Sequence, residues 1–169
     1  MDAIEVDRRV IVRSLGAADL LRLVAMDRVF TGRSRKAWFE GKLKRALAEA
    51  DLKISLGAEV DGTLVGALLG ALAYGEFGQP EPVAILDTVL VDRAFGRQGI
   101  GRALMAHLVK NLAALGIDSI RTEVGWKEHE LLGFLGRQGF SPVPRLVLEL
   151  DVRKTARSLD VQEMETERS

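Results

Sequence analysis

The segment that decides the fold is DRAFGRQGIGRALMAHLVKNL, residues 92–112. It places Gly96, Gly99 and Gly101 directly ahead of a run in which apolar residues recur every three or four positions. Backbone N–H groups at a helix start have no intrahelical partner and carry a partial positive charge. Glycines let a bulky anion approach them, and Arg97 and Arg102 add charge. The segment therefore predicts a phosphate site, with a ligand-free strand-to-helix turn as the alternative.

Two common phosphate motifs fit this segment poorly. In the P-loop pattern, Arg102 and Ala103 stand where a lysine and a hydroxyl-bearing residue are required. In the dinucleotide pattern, Leu104 occupies the third glycine position. Both readings are disfavoured.

The flanking sequence predicts a mixed sheet. Residues 83–91, VAILDTVLV, form a nearly continuous apolar run typical of a strand buried on both faces. Asp61-Gly62 is a strong hairpin signal, whereas the strand–helix–strand unit at 83–126 calls for parallel pairing. The fold class is therefore α/β, or α+β in looser terms. The predicted strands are 8–15, 53–60, 63–74, 83–91, 119–126 and 145–152, and the predicted helices are 19–30, 36–50, 100–115 and 127–138.

Composition narrows the possible partners. The chain has 169 residues, 47% of them hydrophobic, and a formal net charge of zero. This balance argues against nucleic acid and polybasic membrane contacts, and no apolar run reaches the ~20 residues of a membrane span. The absence of cysteine excludes a thiolate metal site and a cysteine acyl-enzyme. We expect a cytoplasmic protein without a metal, with one domain over residues 1–152 and a polar, disordered tail over 153–169.

The stretch VLVDRAFGRQGIGRALMAHLV, residues 89–109, resembles motif A of the GNAT superfamily, the acyl-CoA-dependent N-acyltransferases. The family pattern V-x-P-x-x-[QR]-x-x-G-x-G/A fits at Val91, Gly99 and Gly101, and FLGRQGF (134–140) is similar to the family's closing helix. The resemblance covers roughly residues 9–152. It departs from the pattern at three positions, where Arg93 replaces proline, Gly96 replaces Arg or Gln, and Leu135 replaces the tyrosine that protonates the leaving thiolate in many members.

The resemblance implies a mostly antiparallel GNAT-like sheet, flanked by helices and splayed between strands 4 and 5. Acetyl-CoA is the implied cofactor, acting as co-substrate in that cleft. Its pantetheine arm would follow the fourth strand, its pyrophosphate would sit on the glycine loop, and a phenylalanine of the closing helix would pack against the arm. The implied coenzyme residues are Val89, Leu90, Val91, Arg97, Gln98, Gly99, Ile100, Gly101, Arg102 and Phe134.

Acyl transfer to an amine requires removal of a proton, because an alkylamine has a pKa of about 10.4. Glu123 is the first candidate base, since it matches the glutamate used by similar acetyltransferases, and Asp87 is the second because it interrupts an apolar strand. For each, a solvated or paired acid remains the alternative. The backbone N–H near Leu90 is the candidate oxyanion donor.

The acceptor is predicted to be a primary amine of a small molecule or peptide. Tyr74, Glu76 and Phe30 are the candidate substrate residues, although the arginine-rich junction after Phe30 also reads as a solvated surface. Leu135 motivates a rival function, an acyl-CoA sensor without turnover, and Gly133 and Gly136 leave room for a longer acyl group. A homodimer is expected from the resemblance to the family alone.

Overall fold

The computed structural model describes residues 10–48, 54–75, 78 and 80–158. The chain forms two compact units, residues 1–138 and 139–169. The strands of the first unit are β1 (Ile11–Ser14), β2 (Leu56–Val60), β3 (Thr63–Ala73), β4 (Val83–Val91) and β5 (Ile120–Arg121). Its α-helices are α1 (Leu20–Thr31), α2 (Lys36–Ala48), α3 (Ile100–Ala114) and α4 (His129–Arg137).

The five strands form one sheet in the order β1-β2-β3-β4-β5. The first three pairings are antiparallel and β4 pairs with β5 in parallel, which confirms the predicted fold class. The β2–β3 hairpin turns at Asp61 and Gly62, both with positive φ (49° and 76°), as a two-residue I′ turn requires. This geometry explains why the Asp-Gly pair was a reliable signal.

Helices cover both faces of the sheet. Leu23 of α1 and Phe39 of α2 pack with Ala67 and Leu90 in one buried cluster. Gly66 precedes Ala67 on β3 and therefore faces the other way. A Cβ atom on Gly66 would lie 2.6 Å from Cγ2 of Ile100, so α3 packs closely on that opposite face.

A bulge interrupts β4 near its middle. Leu69 of β3 pairs with Thr88, whereas the next residue, Gly70, pairs with Leu86. Asp87 is therefore the extra residue on β4. Bulges of this kind re-aim side chains and often lie beside functional sites.

The β4–β5 pairing is shorter than predicted and contains only Ala84–Ile120 and Ile85–Arg121. The predicted strand at 119–126 is therefore wrong beyond Arg121, because the two backbones diverge there. Glu123 was placed inside β5 by sequence but lies two residues past its end. From Leu86 onward, β4 has no neighbouring strand on this edge among the described residues.

The second unit differs from the sequence prediction. Residues 145–151 are not a strand, and residues 152–158 are helical. Asp151 caps this helix, since its carboxylate accepts a hydrogen bond from the N–H of Lys154 at 3.0 Å. The described residues of this unit supply no ladder partner, so the alternating pattern of 145–152 is not realised as a strand. The division into a domain over 1–152 and a disordered tail stays a prediction; residues 159–169, like 1–9 and 49–53, lie outside the described residues.

Candidate active site

The widening gap beside β4 exposes main-chain donors. The N–H of Asp92 donates to the carbonyl oxygen of Val65 on β3 at 2.8 Å. Because N–H directions alternate along a strand, Leu90 also directs its N–H toward β3, while Val89 and Val91 direct theirs to the β5 side. The oxyanion donor near Leu90 stays a prediction, and the register makes the N–H groups of Val89 and Val91 its candidates, because that of Leu90 points to β3.

The loop after β4 is anchored to the rest of the fold through Asp92. Its carboxylate accepts a hydrogen bond from the N–H of Ala94 at 2.9 Å and forms an ion pair with Arg22 of α1. Arg22 in turn donates from Nε to the carbonyl oxygen of Leu64 at 2.9 Å. These contacts fix the point where the chain leaves the sheet and enters the glycine loop.

Six consecutive N–H groups in this loop and the first turn of α3, those of residues 97–102, have no acceptor among the described residues. The first intrahelical bond runs from Ala103 to the carbonyl of Gly99 at 2.9 Å. Arg97 and Gly99 both have positive φ, 62° and 78°. Left-handed residues in such a loop turn successive N–H groups into one concavity, the main-chain arrangement that binds anions.

Phe134 of α4 lies against the first turn of α3. A Cβ atom on Gly101 would be 2.9 Å from Cε2 and 3.1 Å from Cζ of Phe134. The glycine at this position therefore has a steric reason, since it leaves space for the ring. The sequence predicted Phe134 beside the coenzyme, and the structure places it at the edge of the concavity formed by residues 97–102.

The two candidate bases, Asp87 and Glu123, lie in different environments. Each is two residues past the last β4–β5 pair, Ile85–Arg121. Asp87 forms an ion pair with Lys42 of α2 and accepts a hydrogen bond from Oγ1 of Thr88 at 2.8 Å. Glu123 is exposed and has no ion-pair partner in the described part of the chain. Of the two carboxylates, Glu123 is thus the one without an ion pair among the described residues.

Helix α2 brings a basic and aromatic cluster to this face of the sheet. Arg35 and Lys42 both lie over the Trp38 ring, with Cζ at 4.7 Å and Nζ at 5.3 Å from its centroid. The buried Asp27 holds Arg35 by accepting a hydrogen bond from Nε at 2.8 Å, and this bond raises the pKa of Arg35. The sequence did not identify Lys42. Its only signal was spacing, since residues 38 and 42 share a helix face.

The structure separates two of the predicted substrate residues. Tyr74 follows β3 beside the start of β4 and is exposed. Phe30 lies near the other end of β4, where Cζ of Arg93 is 5.0 Å from its ring centroid. Tyr74 and Phe30 are thus not brought together, and Glu76 lies outside the described residues.

Leu135 occupies a buried position on α4, with 4% of its surface exposed. An apolar side chain in the core has no proton to donate to a leaving thiolate. The only described tyrosine, Tyr74, lies beside the opposite end of β4 from the glycine loop. Neither Leu135 nor Tyr74 therefore places a proton donor beside the glycine loop.

The described residues contain no group of three or more His, Asp or Glu side chains arranged to hold a metal ion. In the same part of the chain, no helix is long and apolar enough to cross a membrane. The donor set instead fits an extended phosphate-bearing ligand: six loop N–H groups suit a diphosphate, and two β4 N–H groups suit an amide-containing arm. These residues match the demands of coenzyme A.

The first unit thus combines a mixed sheet, a short parallel β4–β5 pairing at its edge and a glycine loop between β4 and α3. The sequence model described as the acetyltransferase (GNAT) family matches residues 23–140. This match spans more than half of the chain, and the protein belongs to that family. No curated protein matched the chain.

Solved structures share the fold at low sequence identity. An aminoglycoside N-acetyltransferase in complex with CoA is 15% identical, with a TM-score of 0.68 over 89% of this chain and 99% of that one. A ribosomal-protein-alanine N-acetyltransferase from Brucella melitensis biovar Abortus 2308 is 17% identical, with a TM-score of 0.66 over 84% and 98%. A transcriptional regulator from Bacillus halodurans C-125 is 21% identical, with a TM-score of 0.64 over 84% and 99%.

Proposed function

We propose that this protein transfers an acetyl group from acetyl-CoA to a primary amine, directly and within a ternary complex. The observation that carries the proposal is the run of unpartnered N–H groups at residues 97–102. No cysteine is present to carry the acyl group, so a direct transfer is favoured over a thioester intermediate on the protein. Acetyl-CoA supplies the activated acyl group.

The chain's own residues divide the work. The loop N–H groups hold the diphosphate, with added charge from Arg97 and Arg102. The N–H groups of Val89 and Val91 pair with the pantetheine arm, and the same donors can stabilise negative charge on the thioester oxygen. Phe134 packs beside the arm, where Gly101 leaves it room.

Glu123 receives the proton that the amine must lose, directly or through water. Its support is an exposed carboxylate that has no ion-pair partner in the part of the chain that the structure describes, two residues past the last β4–β5 pair. Asp87 is the weaker candidate because Lys42 already neutralises it. The amine is a small-molecule or peptide amine in a cytoplasmic setting; nucleic acid and membrane lipid are not part of this proposal, and a homodimer is its expected assembly.

A second function, an acyl-CoA sensor without turnover, is favoured by one observation. Leu135 is buried and apolar on α4, so this helix offers no acid for the thiolate. One of the solved structures with the same fold is described as a transcriptional regulator. The sensor and the enzyme would share the coenzyme site and differ in whether thiol is released.

Two measurements on the purified protein test the proposal. Calorimetry with acetyl-CoA and free CoA should show binding to the loop, and release of free thiol should follow addition of amines from a panel of peptides, polyamines, aminoglycosides and amino acids. Binding without thiol release for every amine would favour the sensor. The absence of binding at millimolar coenzyme would reject both functions.

A further inference from the structure

Lys42 is the one described lysine whose ammonium pairs with a carboxylate of β4. Its Nζ contacts Oδ2 of Asp87, the extra residue of the β4 bulge. The side chain crosses from α2 to the sheet and is only 22% exposed. Lys36, on the same helix, keeps 55% of its side chain exposed and pairs only with Glu40, at 3.8 Å.

The position of this ammonium matters because of what surrounds Asp87. Val89, whose N–H points into the cleft, is two residues further along β4, a distance of roughly 7 Å on an extended strand. Glu123 lies two residues past the last β4–β5 pair, as Asp87 does on β4. An amine held at Asp87 is therefore close to the place where the proposed function puts a thioester carbonyl.

We propose that Lys42 is itself an acyl acceptor, so that the protein acetylates its own α2 helix. The inference rests on the proposed function. A new amide bond forms between Nζ of Lys42 and the acetyl carbon, and the carbon–sulfur bond of acetyl-CoA breaks. One proton of the ammonium passes to the carboxylate of Asp87 before the nitrogen attacks. The nitrogen loses a second proton as the carbon–sulfur bond breaks, and water relays that proton to the departing thiolate, so the coenzyme leaves as its thiol.

Ordinary chemical reactivity predicts a different modification pattern. Lys42 is paired and largely covered by Asp87 and Trp38, whereas Lys36 and Lys44 are exposed on the same helix. A small acetylating reagent that needs no binding site should therefore modify Lys36 and Lys44 before Lys42. A coenzyme held in the cleft should reverse that order, because a positioned reactant has a much higher effective concentration.

The experiment compares two acetyl donors on the full chain, with peptide mapping by mass spectrometry. With a water-soluble N-hydroxysuccinimide acetate and no coenzyme, Lys42 should be the slowest of the three lysines. With acetyl-CoA, Lys42 should be modified about tenfold or more faster than Lys36 and Lys44. The rate constant should not depend on protein concentration, since the transfer is within one chain.

Matched variants assign the site. Lys42→Arg keeps the positive charge and should abolish the acetyl-CoA-dependent mass increase on α2, while Lys44→Arg should leave it in place. Equal modification of the three lysines by acetyl-CoA, or a Lys42 that stays unmodified, overturns the inference. If added amines are still acetylated in that case, the proposed function stands; if calorimetry also shows no coenzyme binding, the proposed function has failed with it.

Discussion

The two sides of the cleft beside β4 are built from different parts of the polypeptide. The side that we propose for the coenzyme uses main-chain N–H groups at residues 97–102, together with glycines at 99 and 101. The side that we propose for the acceptor uses side chains that meet across the fold, with Lys42 on Asp87 and Arg35 on Asp27. A main-chain site needs residues that leave space and adopt the right φ, whereas a side-chain site needs particular partners brought together. The first side is therefore expected to depend on backbone conformation and the second on charge.

The largest expected effect is on catalysis at the acceptor side. Glu123→Gln keeps the size of the side chain but removes the proton acceptor, so kcat should fall about a hundredfold or more while the Kd for acetyl-CoA changes little. Steady-state thiol release and calorimetry check the two quantities. Asp87→Asn is the matched variant and should lower kcat less, because the Asp87 carboxylate is engaged by Lys42. If kcat fell further in Asp87→Asn than in Glu123→Gln, Asp87 would be the proton acceptor and Glu123 the weaker candidate.

The next effect is on coenzyme binding and is steric. In Gly101→Ala the new methyl would lie 2.9 Å from the Phe134 ring, so the ring must move from the edge of the concavity. Overpacking of this kind costs about 1–3 kcal/mol, and we expect the Kd for acetyl-CoA to rise at least about tenfold.

Gly136→Ala is the control for this substitution. A Cβ at position 136 in α4 would meet no atom within 4 Å. It should leave coenzyme binding unchanged and raise the free energy of unfolding by up to about 1 kcal/mol, since alanine is the better helix former. Equal affinities in the two variants would show that Phe134 does not shape the coenzyme site.

A third effect concerns stability away from the cleft. Asp19 accepts hydrogen bonds from Arg13 at 2.8 and 2.9 Å and from the N–H of Gly16 at 2.8 Å. The Arg13 guanidinium, as the largest cause, lowers the pKa of Asp19 below its ordinary value. Asp19→Asn should lower the free energy of unfolding by about 1.5 kcal/mol at pH 7 in urea denaturation.

The difference in the free energy of unfolding between wild type and Asp19→Asn should change with pH in one direction. Because the pKa of Asp19 is lower in the folded state, its contribution is fully present above the unfolded value of about 3.9. It is lost as the pH falls from there through the folded pKa. The stabilities of wild type and Asp19→Asn should therefore converge in strong acid. A difference that stays constant down to pH 2 would contradict the role of the ionised carboxylate.

The smallest effect isolates the backbone of the loop. Arg97 adopts φ of 62°, a conformation that costs an L-residue roughly 1–2 kcal/mol but glycine almost nothing. Arg97→Gly should therefore have a higher free energy of unfolding than Arg97→Ala by about 1 kcal/mol, and both should bind coenzyme more weakly than wild type through the lost charge. Equal stability of the two variants would mean that the loop does not keep this conformation in solution.

The glycine loop was predictable from sequence because its requirements are local. Gly99 must adopt positive φ and Gly101 must lack a side chain, and both requirements restrict which residue can stand there. The strand bounds of β4 and the Asp61-Gly62 hairpin followed for the same reason, since apolar patterning and turn conformation act within a few residues. The resemblance to the family pattern then predicted how these local elements are arranged in one fold.

The end of β5 could not be predicted in this way. Residues 119–126 have a strand-like composition, yet only Ile120 and Arg121 pair with β4. Strand length depends on whether a neighbouring backbone stays within hydrogen-bonding distance, and the divergence of β4 and β5 is a property of the whole sheet. Because of that divergence, neither Glu123 nor the outward N–H groups of Val89 and Val91 have a strand partner among the described residues.

The sequence by itself predicted the order of elements from β1 to α4, the conformation of the glycine loop and the family, because backbone conformation and apolar periodicity are set by neighbouring residues. It did not predict residues 145–158, where a helix at 152–158 stands instead of the expected strand. Only the tertiary structure decided that Lys42 would meet Asp87 across 45 residues, that Phe134 would cover Gly101, and that Glu123 would have no ion-pair partner among the described residues. Contacts of this kind depend on how α2 and α4 pack on the sheet. Packing is a cooperative outcome of the entire core, and no short segment specifies it alone.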